Sequence, residues 1–200
     1  MSESRTTAPQ VWNLPNILTM LRIVLVPFFI WFMLEDNSAQ GPWRWAALAA
    51  FAVAIYTDQL DGDLARKRGQ VTDFGKIADP IADKLLIGSA LILLSGLGEL
   101  PWWITVLMLV REVGITVLRF VVIRYGVIPA SRGGKLKTVL QTAAIFLFLL
   151  PLSSLVPWLG VVAFWIMLAA LAVTLITGVD YIAQAIRLRR EARPGQGGQP

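Results

Sequence analysis

The stretch from Asp58 to Asp83, DQLDGDLARKRGQVTDFGKIADPIAD, sets a run of carboxylates and cations between two strongly apolar segments. Four of its acids pair at helical spacing. Asp58 and Asp61 are three apart, Asp79 and Asp83 four apart, so each pair shares one helix face. Whether these are solvated flank charges or a built site depends on where the neighbouring apolar segments end.

The chain is 200 residues long, 56% hydrophobic and 16% charged, well below the roughly 25% charged residues of soluble domains. It reads as an integral membrane protein. A span needs about 20 residues to cross the hydrocarbon core, and six segments qualify, at about 16–34, 43–64, 78–98, 101–123, 136–151 and 157–182. The fold class expected is therefore all-α, with six transmembrane helices. Trp43 to Thr57 alone covers only about 22 Å at helical rise, so the second helix must continue through Asp58 and Asp61. Leu85 to Leu97 is likewise too short, and the third helix is expected to begin near Asp79 with Pro80 in its first turn. Both acid pairs then lie at matching ends of consecutive antiparallel helices.

Charge fixes the orientation. Arg66, Lys67, Arg68 and Lys76 follow the second span, Arg124, Arg132, Lys135 and Lys137 the fourth, and Arg187, Arg189, Arg190 and Arg193 the sixth. The connectors EDNSAQGP, GLGELP and PLSSLVP carry no Lys or Arg. Both termini and the acid pairs are thus expected on the cytoplasmic side of the cell membrane. Trp43, Trp45, Trp102, Trp103 and Trp158 gather at the other interface as an aromatic belt. Residues 1–10 and the basic segment 187–200 are expected as disordered tails, around one membrane domain spanning 11–186. The first apolar run lacks a small-residue cleavage site and is followed by further spans, against a removable signal peptide.

With no Cys and no His, thiol nucleophiles, disulfides, imidazole bases and ordinary zinc sites are excluded. Four converging carboxylates repel unless some are neutral or a cation binds. All-oxygen donors suit Mg²⁺ or Mn²⁺, and four carboxylates can hold two such ions. Gly62 beside Asp61 sacrifices helix propensity, which makes sense where a ligand approaches the backbone. Ala65 keeps that face open, Arg66 can meet a phosphate, and Gly75 allows close helix approach beside Asp79. Asp63 and Asp73 share no face with a second acid and read as solvated or locally paired.

Written as D58-x2-D61-G62-x2-A65-R66-x8-G75-x3-D79-x3-D83, the segment resembles the signature of the CDP-alcohol phosphotransferase family of membrane enzymes. The resemblance implies a six-helix domain that takes a CDP-linked donor, transfers its phosphoryl-alcohol part to a hydroxyl and releases CMP. It implies that Asp58, Asp61, Asp79 and Asp83 hold two metal ions, and that Asp83 is the general base. Gly62, Ala65, Arg66 and Thr72 then resemble the positions that contact the cytidine diphosphate group, with Gly75, Asn16 and Thr19 beside them.

Three further stretches bear on the acceptor. Asn16, Thr19 and Arg22 fall on one side of the first helix. In R111-E112-V-G-I-T-V-L-R119, Arg111 and Glu112 lie near the bilayer middle, where ionisable groups are costly and usually functional. An Arg111–Glu112 structural pairing is the plainer alternative. S131-R-G-G-K135-L-K137-T138-V-L-Q141 opens the fifth helix with glycines and two lysines, a phosphate cradle or a topology signal. Arg111, Arg119, Lys135 and Lys137 are thus candidate ligands of an acceptor phosphate. These stretches resemble those of the phosphatidylglycerophosphate synthases within the family, from about Leu14 to Tyr181. That implies CDP-diacylglycerol and sn-glycerol 3-phosphate as substrates. Phosphatidylinositol phosphate synthase and cardiolipin synthase activities are the alternatives in the family, and a cation transporter is the alternative of another class. Small-residue stretches such as AALAAFAVA can pack closely and are compatible with a homodimer. Beyond its positive charge the chain offers nothing for nucleic acid.

Overall fold

In the computed structural model, residues 14–68, 73–123, 132–151, 156 and 158–191 are described. They form six α-helices and no strand: α1 Leu14–Asp36, α2 Pro42–Arg68, α3 Asp73–Gly96, α4 Trp102–Val122, α5 Arg132–Leu149 and α6 Trp158–Glu191. Two of them, at Asn16–Asp36 and Trp158–Arg189, are long and apolar enough to cross a membrane by length and composition alone.

Neighbouring helices alternate in direction, and polar contacts at each end of the bundle show it. At one end Arg44, two residues into α2, meets Asp36 at the end of α1, Glu99 just after α3 and the Phe148 carbonyl at the end of α5. At the other end Arg22 near the start of α1 meets Asp58 on α2, and Thr19 meets Asp79 on α3. Between these ends the core is apolar. Phe29, Met33, Phe51, Leu86, Leu94, Ile104 and Ile145 are fully enclosed, with small residues such as Ala47, Ala54 and Ala90 letting the helices approach.

Outside, the bundle is greasy. Val110, Phe120, Trp165 and Ile176 are all more than 60% exposed, an inversion of soluble-protein surfaces that a lipid environment explains. The five tryptophans of the expected belt are exposed at the first turns of α2, α4 and α6, all at the Arg44 end of the bundle.

Three boundaries differ from those expected. First, α3 begins at Asp73, which puts Pro80 inside the helix rather than in its first turn. A proline there removes one backbone hydrogen bond, to the carbonyl four residues back, and packing carries the helix past it. Second, α5 begins at Arg132, ahead of the apolar span from about 136, and it takes in the Gly133-Gly134 pair that the stretch from Ser131 was expected to bring to its start, despite their low helix propensity. Third, residues 187–191, expected in the basic tail, continue α6 to Glu191. Arg, Leu and Glu are good helix formers, so the helix outlasts its apolar stretch. Residues 1–13 and 192–200 lie outside the described part.

The connection between α1 and α2 is a tight one. Asn37, Ser38 and Gln40 all take positive φ, at 43°, 63° and 54°, a conformation that is uncommon for residues with a side chain. Buried Asp36 holds this turn by accepting hydrogen bonds from the Gln40 and Gly41 amides at 3.2 and 2.9 Å.

Candidate active site

The site is built where α1, α2 and α3 meet at the end of the bundle opposite Arg44. On α1, Asn16, Thr19 and Arg22 recur every three residues and point inward. All three are buried, Arg22 completely. Such a polar stripe inside an apolar helix demands partners. Arg22 Nη1 lies 2.5 Å from Asp58 Oδ1, and the Thr19 hydroxyl donates to Asp79 Oδ1. Thus α1 acts as the clamp that aims one carboxylate from each acid pair.

Asp83 stands one turn beyond Asp79 on α3, within electrostatic reach of Asp58, Arg22, Glu112 and Lys137. Asp58 in turn lies within reach of Asp79. Three acids from two helices therefore converge with one arginine and one hydroxyl. Among the described residues no group of three or more acids stands close enough together to hold a metal ion. Asp61, Gly62, Ala65 and Arg66 lie on the last turns of α2, but their side chains, like Thr72, fall outside the described residues. Gly75 is buried on the first turns of α3. The donor set is all oxygen and its acids outnumber the cation that meets them, which fits hard divalent ions.

From Asp83 a cavity of about 140 Å³ opens between α3, α4 and α5. About 150 Å³ suffices for a benzene ring, so the space suits a small molecule rather than a lipid. Its polar wall is Asp83, Lys84, Glu112, Lys137, Thr138 and Gln141, and Leu91 and Met108 are among the side chains of its apolar wall. Lys84 Nζ donates to Thr116 Oγ1 at 2.6 Å, Thr116 donates on to the Glu112 carbonyl at 2.7 Å, and Lys137 Nζ contacts the Glu112 carboxylate.

The four cations expected around an acceptor phosphate are not brought together. Only Lys137 lines the cavity. Arg111 reaches α6, donating from Nε to the Thr174 carbonyl at 3.0 Å and from Nη2 to the Thr177 hydroxyl at 2.9 Å. Gly178 lies beside it, where a Cβ would be 3.4 Å from Arg111 Cγ and Nε, in ordinary contact. Arg119 is exposed with its guanidinium carbon 5.8 Å from the centre of the Tyr181 ring, a cation–π distance. Lys135 is exposed.

Conversely, Lys84 belongs to the cavity and was not a candidate site residue, and Gln141, which closes the fifth-helix stretch, lines it without having been given a role. A helical stripe was there to find them. Lys84, Ile87, Gly88 and Leu91 follow the i, i+3, i+4, i+7 rule, and on α5 Lys137 and Thr138 are each followed four residues on by Gln141 and Thr142, again on one helix face.

The sequence pattern described as CDP-alcohol phosphatidyltransferase matches residues 12–176. The chain belongs to the CDP-alcohol phosphatidyltransferase family. Members of this family use divalent metal, consistent with the oxygen donors. This CDP-alcohol phosphatidyltransferase is thus a membrane-associated transferase of phospholipid biosynthesis, which removes the support for a cation transporter. It is 57% identical over 178 residues to a probable phosphatidylglycerophosphate synthase of Mycobacterium tuberculosis, covering 89% of this chain and 84% of that one. It is 35% identical to a CDP-diacylglycerol–glycerol-3-phosphate 3-phosphatidyltransferase of Bacillus subtilis, covering 87% and 95%. A CMP-forming cardiolipin synthase of Streptomyces coelicolor is 36% identical over 64% of this chain and 60% of its own.

Proposed function

We propose that this enzyme transfers the phosphatidyl group of CDP-diacylglycerol to sn-glycerol 3-phosphate, giving phosphatidylglycerol phosphate and CMP. The observation that carries the reading is the cavity of small-molecule size running from Asp83 to Lys84 and Lys137, in a chain 57% identical to a protein named for that reaction. A carboxylate at one end suits the attacking hydroxyl and ammonium groups at the other suit a phosphate.

Asp58, Asp61, Asp79 and Asp83 are the residues that would hold two Mg²⁺ or Mn²⁺ ions. When bound, such ions neutralise the diphosphate and stabilise the departing CMP. Everything else falls to the chain. Arg22 and Thr19 orient Asp58 and Asp79. Asn16, Gly62, Ala65, Arg66, Thr72 and Gly75 surround the cytidine diphosphate group. Asp83 takes the proton of the acceptor's terminal hydroxyl as that oxygen bonds to the phosphorus bearing diacylglycerol, and the bond from that phosphorus to the CMP oxygen breaks. Lys137 and Lys84 receive the acceptor phosphate.

The enzyme is placed in the cell membrane with six spans, both termini and the site on the cytoplasmic side, where the water-soluble acceptor is available. The domain comprises the six helices, between short terminal tails, and small residues on its helices leave a homodimer open to it. CMP release by purified enzyme is measured from CDP-diacylglycerol with Mg²⁺ or Mn²⁺, offering glycerol 3-phosphate, inositol phosphate, serine and phosphatidylglycerol separately. Release only with glycerol 3-phosphate is expected, and release with another acceptor alone would overturn the substrate assignment.

A further inference from the structure

Two carboxylates line the cavity, Asp83 and Glu112, and the proposed reaction uses only the first. Glu112 sits in ionic contact with Lys137 Nζ, while Arg111 Nη1 lies 3.4 Å from the same oxygen, Oε2. Of the two ammonium groups in the wall, then, Lys137 is paired with a full charge, whereas Lys84 is held by a neutral hydroxyl on Thr116. A half-buried carboxylate beside the place where a phosphate must bind opposes that phosphate, because screening is weaker there than in water. Its presence calls for a role, and the arrangement around it supplies one.

We propose that Glu112 is an internal counter-ion of the acceptor site. It holds the Lys137 ammonium while the cavity is empty and yields it to the phosphate of the incoming acceptor. This rests on the reading that an anionic acceptor enters here. Arg111 is what makes the exchange feasible. Its guanidinium is fixed to α6 by the Thr174 carbonyl and the Thr177 hydroxyl, beside Gly178, with Nη1 turned toward Glu112. When Lys137 turns to phosphate, the Glu112 charge stays compensated by a cation that does not move. Arg111 therefore serves the acceptor site as the seat of Glu112 and not as a phosphate ligand. The exchange also selects: a neutral alcohol cannot displace a carboxylate from Lys137, whereas a dianionic phosphate can. Glu112 lowers acceptor affinity and raises the discrimination against uncharged hydroxyl compounds.

The test compares wild type, Glu112→Gln, Glu112→Asp, Lys137→Met and the Gln/Met double variant. CMP release is followed against glycerol 3-phosphate concentration, and inorganic phosphate is titrated calorimetrically into the same proteins. With the competing charge gone, Glu112→Gln lowers KM for the acceptor and Kd for inorganic phosphate about fivefold, the equivalent of roughly 1 kcal/mol of ion pairing. The gain falls on KM and Kd rather than on kcat, and Glu112→Asp, which keeps the charge, shows no such gain. Neither gain appears in the Lys137→Met background, since the exchange acts through that lysine. A raised KM or a reduced kcat in Glu112→Gln would show that Glu112 positions the site instead, and a gain that persists without Lys137 would equally overturn the proposal. If wild type releases no CMP with glycerol 3-phosphate, it is the substrate assignment that fails, and the phosphate titration alone decides the exchange.

Discussion

Arg22 on α1 and Asp58 on α2 form a 2.5 Å ion pair whose cationic end is completely buried while the Asp58 side chain is 42% exposed. The pair thus carries charge from the interior of the bundle to the rim of the site. Removing one partner of a fully buried pair costs about 3–5 kcal/mol; with one end at the rim the cost of Arg22→Met falls to about 2 kcal/mol. A lowered unfolding temperature in detergent, together with CMP release reduced at least tenfold, is the expected outcome. Unchanged activity in Arg22→Met would mean that Asp58 needs no clamp.

Thr19 gives its hydroxyl hydrogen to Asp79 across the α1–α3 contact. Replacing it with Val keeps the shape and removes the donor, whereas Ser keeps the donor. Groups that orient metal-binding carboxylates are worth about 10- to 100-fold in metal affinity. Thr19→Val should therefore need about tenfold more Mn²⁺ for half-maximal CMP release, with Thr19→Ser near wild type. Equal metal requirements in both variants would remove Thr19 from the site.

At the other end of the molecule, fully buried Arg44 ties together four helices through Asp36, Glu99 and the Phe148 carbonyl, which it meets at 2.9 Å. Arg44→Met leaves two carboxylates facing an unfilled cationic position, and costs about 3 kcal/mol or more. Thermal unfolding should shift down markedly while KM values measured well below the transition stay put. A changed acceptor KM at full stability would contradict a purely structural knot.

Gly178 measures how tightly Arg111 is held. A methyl group there meets Arg111 at 3.4 Å, ordinary contact, and alanine gains about 1 kcal/mol of helix propensity. Gly178→Ala should be neutral to stabilising, with acceptor kinetics unaltered, whereas the branched side chain of Gly178→Val must push the guanidinium off Thr177. Impaired acceptor kinetics in the Val variant alone is the expected pattern. Indifference to both would mean that the seat of Arg111 has no bearing on the site.

Much of this was legible in the sequence, because length and charge constrain a membrane chain severely. The apolar runs gave six helices in the right order, and the shortness of the runs beside Asp58 and Asp83 showed that the acids belong inside helices. The Asn16, Thr19, Arg22 spacing set these three on one side of α1, and the structure adds that all three are buried. What stayed hidden was partner choice. A charged residue in an apolar helix signals that it is paired, but the pairing is decided by how helices distant in sequence pack. Arg111 finds α6 and Arg44 finds α5 for that reason. Arg44 was easy to overlook beside two belt tryptophans, and Lys84 because it adjoins Asp83 in sequence yet serves the cavity face. Pro80 misled the start of α3, since a proline inside a helix looks like its beginning when tertiary packing is unknown.

The most direct test of the central claim is Asp83→Asn, which keeps the size of the side chain and removes its ability to take a proton. Purified variant and wild type are compared for CMP release with CDP-diacylglycerol, glycerol 3-phosphate and Mn²⁺, and for CMP binding with Mn²⁺ in the absence of acceptor. Turnover lower by about 100-fold or more, with folding intact and CMP still bound, is the result expected of a general base. Turnover near that of wild type would contradict the assignment of Asp83 and with it the path proposed for the acceptor's proton.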